Sequence, residues 1–242
     1  MTDSILAAEG VQKRFGALVV LDGVDFSVGA GEAVGIVGPN GAGKTTLLNV
    51  LAGSLRPEHG RVLLRGTDVT RAGSARRCRL GVGRAHQVPR PFGDMTVFEN
   101  VLVGAATGAG GRRRDAYERA IAAVELCRLG ELANRRAERL GLLHRKRLEL
   151  ARALATDPSV LLLDEIGAGL TDAEAEALVD TIRLLQARGI AIVWIEHIVH
   201  VLVSVVGRLV AMDGGRVIAE GDPGAVMRDA RVIDAYLGTT AA

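Results

Sequence analysis

Aromatic residues are scarce in this chain of 242 residues: four Phe, two Tyr and one Trp. That scarcity argues against a stacking platform for single-stranded nucleic acid. Basic and acidic side chains nearly cancel, 30 against 28, so no cationic excess points to a nucleic-acid partner. The two cysteines, Cys78 and Cys127, make neither a disulfide framework nor a zinc site. The opening Met-Thr-Asp-Ser shows no basic stretch followed by an apolar run, so no signal peptide is expected. The most hydrophobic stretch, Gly189–Met212, is broken by Glu196, His197, His200 and Arg208. A spanning helix needs about 20 nearly uncharged residues. The stretch reads instead as a buried strand (190–195), a helix and a second strand (209–212). A soluble cytoplasmic protein of one domain follows as the expectation.

Glycine is abundant, at 31 residues, which suggests tight turns or close backbone approach to a ligand. Strands are predicted at 5–11, 18–28, 33–37, 62–64, 82–86 and 160–163. Helices are predicted at 43–52, 96–106, 112–129, 143–155 and 173–188. The first carries Leu47, Leu48 and Leu51 on one face, and the last Ala177, Leu178, Ile182 and Leu185. Strand and helix are expected to alternate from there to the end. This is an α/β pattern with a helical insertion near 89–156. Gly108–Arg114 reads as a solvated loop with a basic edge.

Gly38-Pro-Asn-Gly-Ala-Gly-Lys-Thr45 fills every fixed position of G-x-x-x-x-G-K-[ST], after an apolar strand and before a helix. Gly38, Gly41 and Gly43 let the backbone curl so that N–H groups face phosphate oxygens, with Pro39, Asn40, Ala42 and Thr46 completing the cradle. The helix N-terminus adds its positive end. Lys44 supplies a point charge, and Thr45 a hydroxyl where Mg²⁺ would sit. Lysine is rare here, confined to Lys13, Lys44 and Lys146, so a chance Lys in the loop is a poor explanation. Leu161-Leu-Leu-Asp164-Glu165 then puts a carboxylate at the end of a buried strand. Asp164 is a candidate Mg²⁺ ligand and Glu165 a candidate general base for water. An acidic turn after a core strand is the plainer reading of that pair when it stands alone.

In this order, over nearly the whole length, the sequence resembles the ATP-binding subunits of ABC transporters. The resemblance implies a P-loop NTPase (RecA-like) core with an N-terminal antiparallel β subdomain, 1–88 and 157–242 forming the catalytic core. It implies an inserted helical subdomain over 89–156. It implies that Phe15, in Lys13-Arg14-Phe15-Gly16, stacks on adenine; a strand-end core Phe is the alternative. By the same resemblance Gln87 senses Mg²⁺ and the attacking water, and its loop couples to membrane subunits. His197 contacts the γ-phosphate and orients Glu165. A metal pair with His200 lacks a third ligand. Gly167–Asp172 occupies the loop that meets the opposite subunit of a head-to-tail dimer.

Gly83–Phe92, Met95–Val101, Ala168–Leu170, Ile195–His197 and Ile218–Pro223 look like the LivG type of branched-chain amino-acid importer. Importers of urea or other small amides and acids share these features. The implied cofactors are ATP and Mg²⁺. The implied partners are membrane permeases, a second ATP-binding subunit (a LivF-like one, or a second copy) and, indirectly, an extracytoplasmic substrate-binding protein, without nucleic acid. The implied location is peripheral, on the cytoplasmic face of the inner membrane. A repair or translation ATPase would need tandem domains or a long coiled coil. A nucleotide sensor without hydrolysis is the third reading.

The family signature, Leu-Ser-Gly-Gly-Gln, is replaced by Leu140-Gly141-Leu142-Leu143-His144. Gly141 removes the serine hydroxyl, and Leu143 puts bulk where a glycine backbone approaches a γ-phosphate. Since a signature serves the partner's nucleotide, a heterodimer with two unequal sites is expected. The competing expectation is a tolerated variant in which helix N-terminal N–H groups suffice.

Overall fold

The computed structural model describes residues 4–108 and 112–237. In chain order the elements are β1 (Ser4–Phe15), β2 (Leu18–Gly29), β3 (Ala33–Val37), α1 (Lys44–Ala52), β4 (His59–Leu64), β5 (Thr67–Asp68), α2 (Ser74–Arg79), β6 (Val82–Ala85), α3 (Val97–Thr107), α4 (Arg113–Leu126), α5 (Leu142–Leu154), β7 (Val160–Asp164), α6 (Asp172–Ala187), β8 (Ala191–Ile195), α7 (Val199–Val203), β9 (Arg208–Asp213), β10 (Arg216–Gly221), α8 (Pro223–Val226) and α9 (Ala230–Leu237).

Two sheets carry the architecture. An antiparallel sheet has the order β2-β1-β4-β5, and a larger one the order β10-β9-β3-β8-β7-β6. Strands β9, β3, β8, β7 and β6 run parallel, and β10 is antiparallel to β9. The parallel strands β3, β7 and β8 are buried along their whole length. Their side chains alternate between two cores, as the period of two requires. Val34, Ile36, Val160, Leu162, Val193 and Ile195 face α1 and the antiparallel sheet. Val37, Leu161, Leu163, Ile192 and Trp194 face the helices α3 to α6. The larger sheet is the partition between the two cores, and its carboxyl edge is where polar side chains emerge.

Most expected elements appear within a residue or two. Three differences have physical reasons. Strand and helix do not alternate to the end: β9 and β10 form a hairpin, because Gly214 and Gly215 both take positive φ (51° and 78°), the combination a two-residue turn needs. The helix expected over 112–129 stops at Leu126, and Arg128 turns the chain in the left-handed region (φ 55°). On α6 the buried face is Ala175, Leu178, Val179, Thr181, Ile182 and Leu185, with Ala177 at its margin. Part of the expected basic loop, 109–111, lies outside the described residues; Arg113 and Arg114 open α4. Among the described residues no helix is long and apolar enough to cross a membrane.

Helix α2 escaped the sequence reading because it has no apolar face. Its one buried residue is Arg77, fully buried. The guanidinium donates to the carbonyls of Val50, Leu51, Val69, Thr70 and Ala72, one for each of its N–H protons. Val50 and Leu51 lie in the last turn of α1, where carbonyls have no helical partner and the dipole favours a cation. Burial pushes the Arg77 pKa down to about 10. Arg77 thus closes the far end of the helix whose near end is the glycine loop. Arg77→Met strands these carbonyls and is expected to cost about 2–4 kcal/mol of stability. Chemical denaturation measures it; an unchanged midpoint contradicts the assignment.

Candidate functional site

The loop between β3 and α1 is wound by glycine. Gly38, Gly41 and Gly43 have φ of 146°, 86° and 98°. A Cβ on Gly38 would stand 2.1 Å from Met212 O, and one on Gly43 2.7 Å from Val20 O. Packing against β9 and β2 therefore forbids a side chain at either position. Around Gly41 the space is open. Lys44, buried in the first turn of α1, donates back to Gly38 O (2.6 Å) and Pro39 O (2.9 Å). Burial pushes its pKa down, while Glu165 and Asp164 pull it up. An ammonium whose direct contacts are neutral carbonyls keeps its charge for an anion arriving at the loop mouth. Thr45 is exposed and Thr46 half-buried, while Pro39, Asn40 and Ala42 complete the turn. Phe15 ends β1, pairs in register with Leu18, and is 49% exposed with the Lys13 ammonium 5.4 Å from its ring centre. A core role for this Phe is excluded by that exposure.

Across the sheet edge, β7 delivers Asp164 and Glu165. Strand β8 lies between β3 and β7, so Asp164 reaches the loop across one strand. Thr45 Oγ1 sits 3.5 Å from Asp164 Oδ1, two hard oxygen donors suited to Mg²⁺. The other oxygen, Oδ2, accepts from Arg84 Nη2 (3.0 Å), whose Nη1 donates to Asn49 of α1 (2.6 Å). Glu165 has φ 47°, a strained value for a residue with a side chain. Its carboxylate is held on both sides. Gln87 Nε2 donates to Oε2, and His197 Nε2 lies 2.8 Å from Oε1. These three residues follow β6, β7 and β8, so the parallel register sets their meeting.

Four residues of this neighbourhood were not singled out from sequence. Arg84 holds Asp164. Lys146 and Glu196 lie buried behind Glu165. Tyr236 of α9 accepts a hydrogen bond from Gly38 N–H at 2.8 Å, from 198 residues away. Scarcity of lysine and of tyrosine was the available signal for two of them. His200 lies exposed in α7.

At the start of α5, Gly141 is the N-cap and offers no side-chain cap. Leu142 is 45% exposed and Leu143 is half-buried. A Cβ on Gly169 would stand 3.3 Å from Leu142 Cδ2, so Leu142 lies over the loop that follows Glu165.

The profile of the ABC transporter family matches residues 21–168, more than half of the chain. This chain belongs to the ABC transporter family. A second profile, the branched-chain amino acid ATP-binding cassette transporter, matches 216–242, the segment that contains Tyr236. The high-affinity branched-chain amino acid transport ATP-binding protein LivG of Escherichia coli is 35% identical over 98% of this cassette and 99% of its own length. The corresponding protein BraF of Pseudomonas aeruginosa is 35% identical with the same coverage. Among solved structures, the ADP conformation of an ATP-binding cassette of an ABC transporter superposes with a TM-score of 0.89 at 33% identity, covering 98% of this chain and 100% of that one. A nucleotide-free cassette gives 0.88 at 32% identity, covering 96% and 98%.

Tyr236→Phe removes the acceptor of the Gly38 N–H and leaves the ring. The cassette is expected to lose about 1 kcal/mol, a fall of about 2–4 °C in Tm for a chain of this size. A thermal melt checks it, and an unchanged Tm shows that water replaces the hydroxyl at no cost.

Proposed function

We propose that this cassette binds ATP on the loop Gly38–Thr46 and hydrolyses it to drive import of branched-chain or other small hydrophobic amino acids through membrane permeases. The observation that carries the proposal is the Glu165 carboxylate, held between Gln87 and His197 on the same sheet edge as the glycine loop. Lys44 and the first N–H groups of α1 take up phosphate charge. Phe15 offers an aromatic face to adenine. Thr45 and Asp164, with Gln87, would hold Mg²⁺, which would supply positive charge to offset that of the phosphates. Glu165 accepts the proton of the attacking water, and Gln87 and His197 fix its two oxygens. Hydrolysis needs little covalent help from protein, so holding these groups in place is the main catalytic contribution.

The membrane path would come from permease subunits, which the helical insertion over 89–156 and the loop after Gln87 would contact. That places the cassette on the cytoplasmic membrane face, served from outside by a substrate-binding protein. Asn100 shapes this contact region: fully buried, it accepts from Phe92 N–H and donates to the carbonyls of Phe92 and Thr96.

The partner cassette is a LivF-like subunit, and the two ATP sites are unequal. Support comes from the start of α5, where Leu143 stands in place of the signature's second glycine and Gly141 gives the helix no capping hydroxyl.

Glu165→Gln is expected to lower phosphate release by about 10²-fold or more while nucleotide affinity stays within about threefold. Phosphate release and binding of a fluorescent ATP analogue measure the two. Equal loss of both contradicts the assignment. In the reconstituted pair, changing the catalytic glutamate of each cassette in turn is expected to give unequal ATPase losses. Equal losses refute the unequal sites.

A further inference from the structure

Lys146 is one of three lysines in the chain and is almost fully buried, 3% exposed, in the second turn of α5. Its ammonium donates to two backbone carbonyls, Gln87 O at 3.3 Å and Glu165 O at 3.4 Å. Those are the two residues whose side chains bond to each other. The contacts form a closed ring: ammonium, Gln87 backbone, Gln87 amide, Glu165 carboxylate, Glu165 backbone, ammonium. The Glu165 backbone is pinned elsewhere too. Its N–H donates to Ile195 O (2.9 Å), and its carbonyl also accepts from Ala168 N (3.2 Å). A residue with a side chain persists in the left-handed region only where its surroundings over-determine it.

The buried charge of Lys146 has a counterpart. Glu196, 2% exposed, precedes His197 and accepts from Gly167 N–H (2.6 Å) and Trp194 Nε1 (3.2 Å). Burial pushes the Glu196 pKa up, and Lys146 pulls it down; burial pushes Lys146 down, and Glu196 and Glu165 pull it up. So Lys146 and Glu196 back all three of Gln87, Glu165 and His197 from the protein side.

We propose that Lys146 is a positioning residue for hydrolysis, which holds the Gln87 and Glu165 backbones so that their side chains meet. The proposal rests on the ATPase reading above. Lys146 touches no reacting atom and acts only through Glu165 and Gln87. A lysine that served only to fill the interface between α5 and the sheet would affect folding and every activity alike. A positioning lysine affects the hydrolysis step alone.

The test uses the full-length chain and its Lys146→Met, Lys146→Arg, Lys146→Gln, Glu165→Gln and Lys146→Met/Glu165→Gln variants. Single-turnover phosphate release, affinity for a fluorescent ATP analogue and Tm are measured on each. Lys146→Met is expected to slow release about 10- to 100-fold, the scale set by small misplacements of a catalytic group, with affinity within about twofold. Lys146→Arg is expected to recover most of the rate, and Lys146→Gln to fall between them. In the Glu165→Gln background, Lys146→Met is expected to cost less than about twofold more, because two residues acting as one unit are not additive. The role is overturned by a rate equal to wild type in both Lys146→Met and Lys146→Gln, by an affinity that falls in step with rate, or by losses that multiply in the double variant. Should Lys146→Met fail to fold, Lys146→Gln carries the same comparison. Wild-type release that Glu165→Gln abolishes secures the ATPase reading separately. Wild-type chain without release, alone or with its partner subunits, overturns that reading and the Lys146 role with it.

Discussion

Everything at the site depends on strands that are buried on both faces. Strands β3, β7 and β8 have no solvated side on which to carry a polar group. In a parallel sheet the chain must leave each strand at the same edge, so chemistry gathers where the strands end. The glycine loop leaves β3, Asp164 and Glu165 leave β7, Glu196 and His197 leave β8, and Gln87 follows β6 by two residues. Separation along the chain, 78 residues between Gln87 and Glu165, becomes a hydrogen bond because the register of neighbouring strands is fixed.

A second regularity is how this cassette handles three of its buried cations. Arg77, Lys44 and Lys146 are all buried, and all three donate to backbone carbonyls. Carbonyls satisfy the donors without cancelling the charge. At Lys44 that leaves positive potential at the mouth of the glycine loop. At Arg77 it complements the end of the α1 dipole. At Lys146 it joins two loops that carry opposite halves of one hydrogen bond. The two ends of α1 are therefore fixed by different chemistry, glycine packing at the loop and a guanidinium at the far end, and Tyr236 secures the first glycine from outside.

The sequence made legible whatever rests on local pattern. The apolar runs of β3, β7 and β8, the amphipathic α6 and the glycine spacing before Lys44 are local signals, and the structure has those elements within a residue or two. The hairpin at Gly214–Gly215 is equally local, since two adjacent glycines between apolar runs are a turn signal. Helix α2 could not be read, because its only inward residue is an arginine, which sequence patterning places outside. The contacts of Arg84, Lys146, Glu196 and Tyr236 could not be read either. Each spans 29 to 198 residues for at least one partner, and no periodicity encodes such pairs. The signature segment lies between these cases: its departure was plain in the letters, but which leucine projects depended on where α5 begins.

The central claim is that binding and hydrolysis are separate tasks of two halves of one sheet edge. The most direct measurement is nucleotide affinity without Mg²⁺, and single-turnover phosphate release with it, on the same preparations of wild type, Gln87→Ala, His197→Ala and the double variant. The account requires release to fall steeply, with the double variant little worse than the more damaged single, while affinity holds. Affinity that weakens in proportion to the lost rate would contradict it.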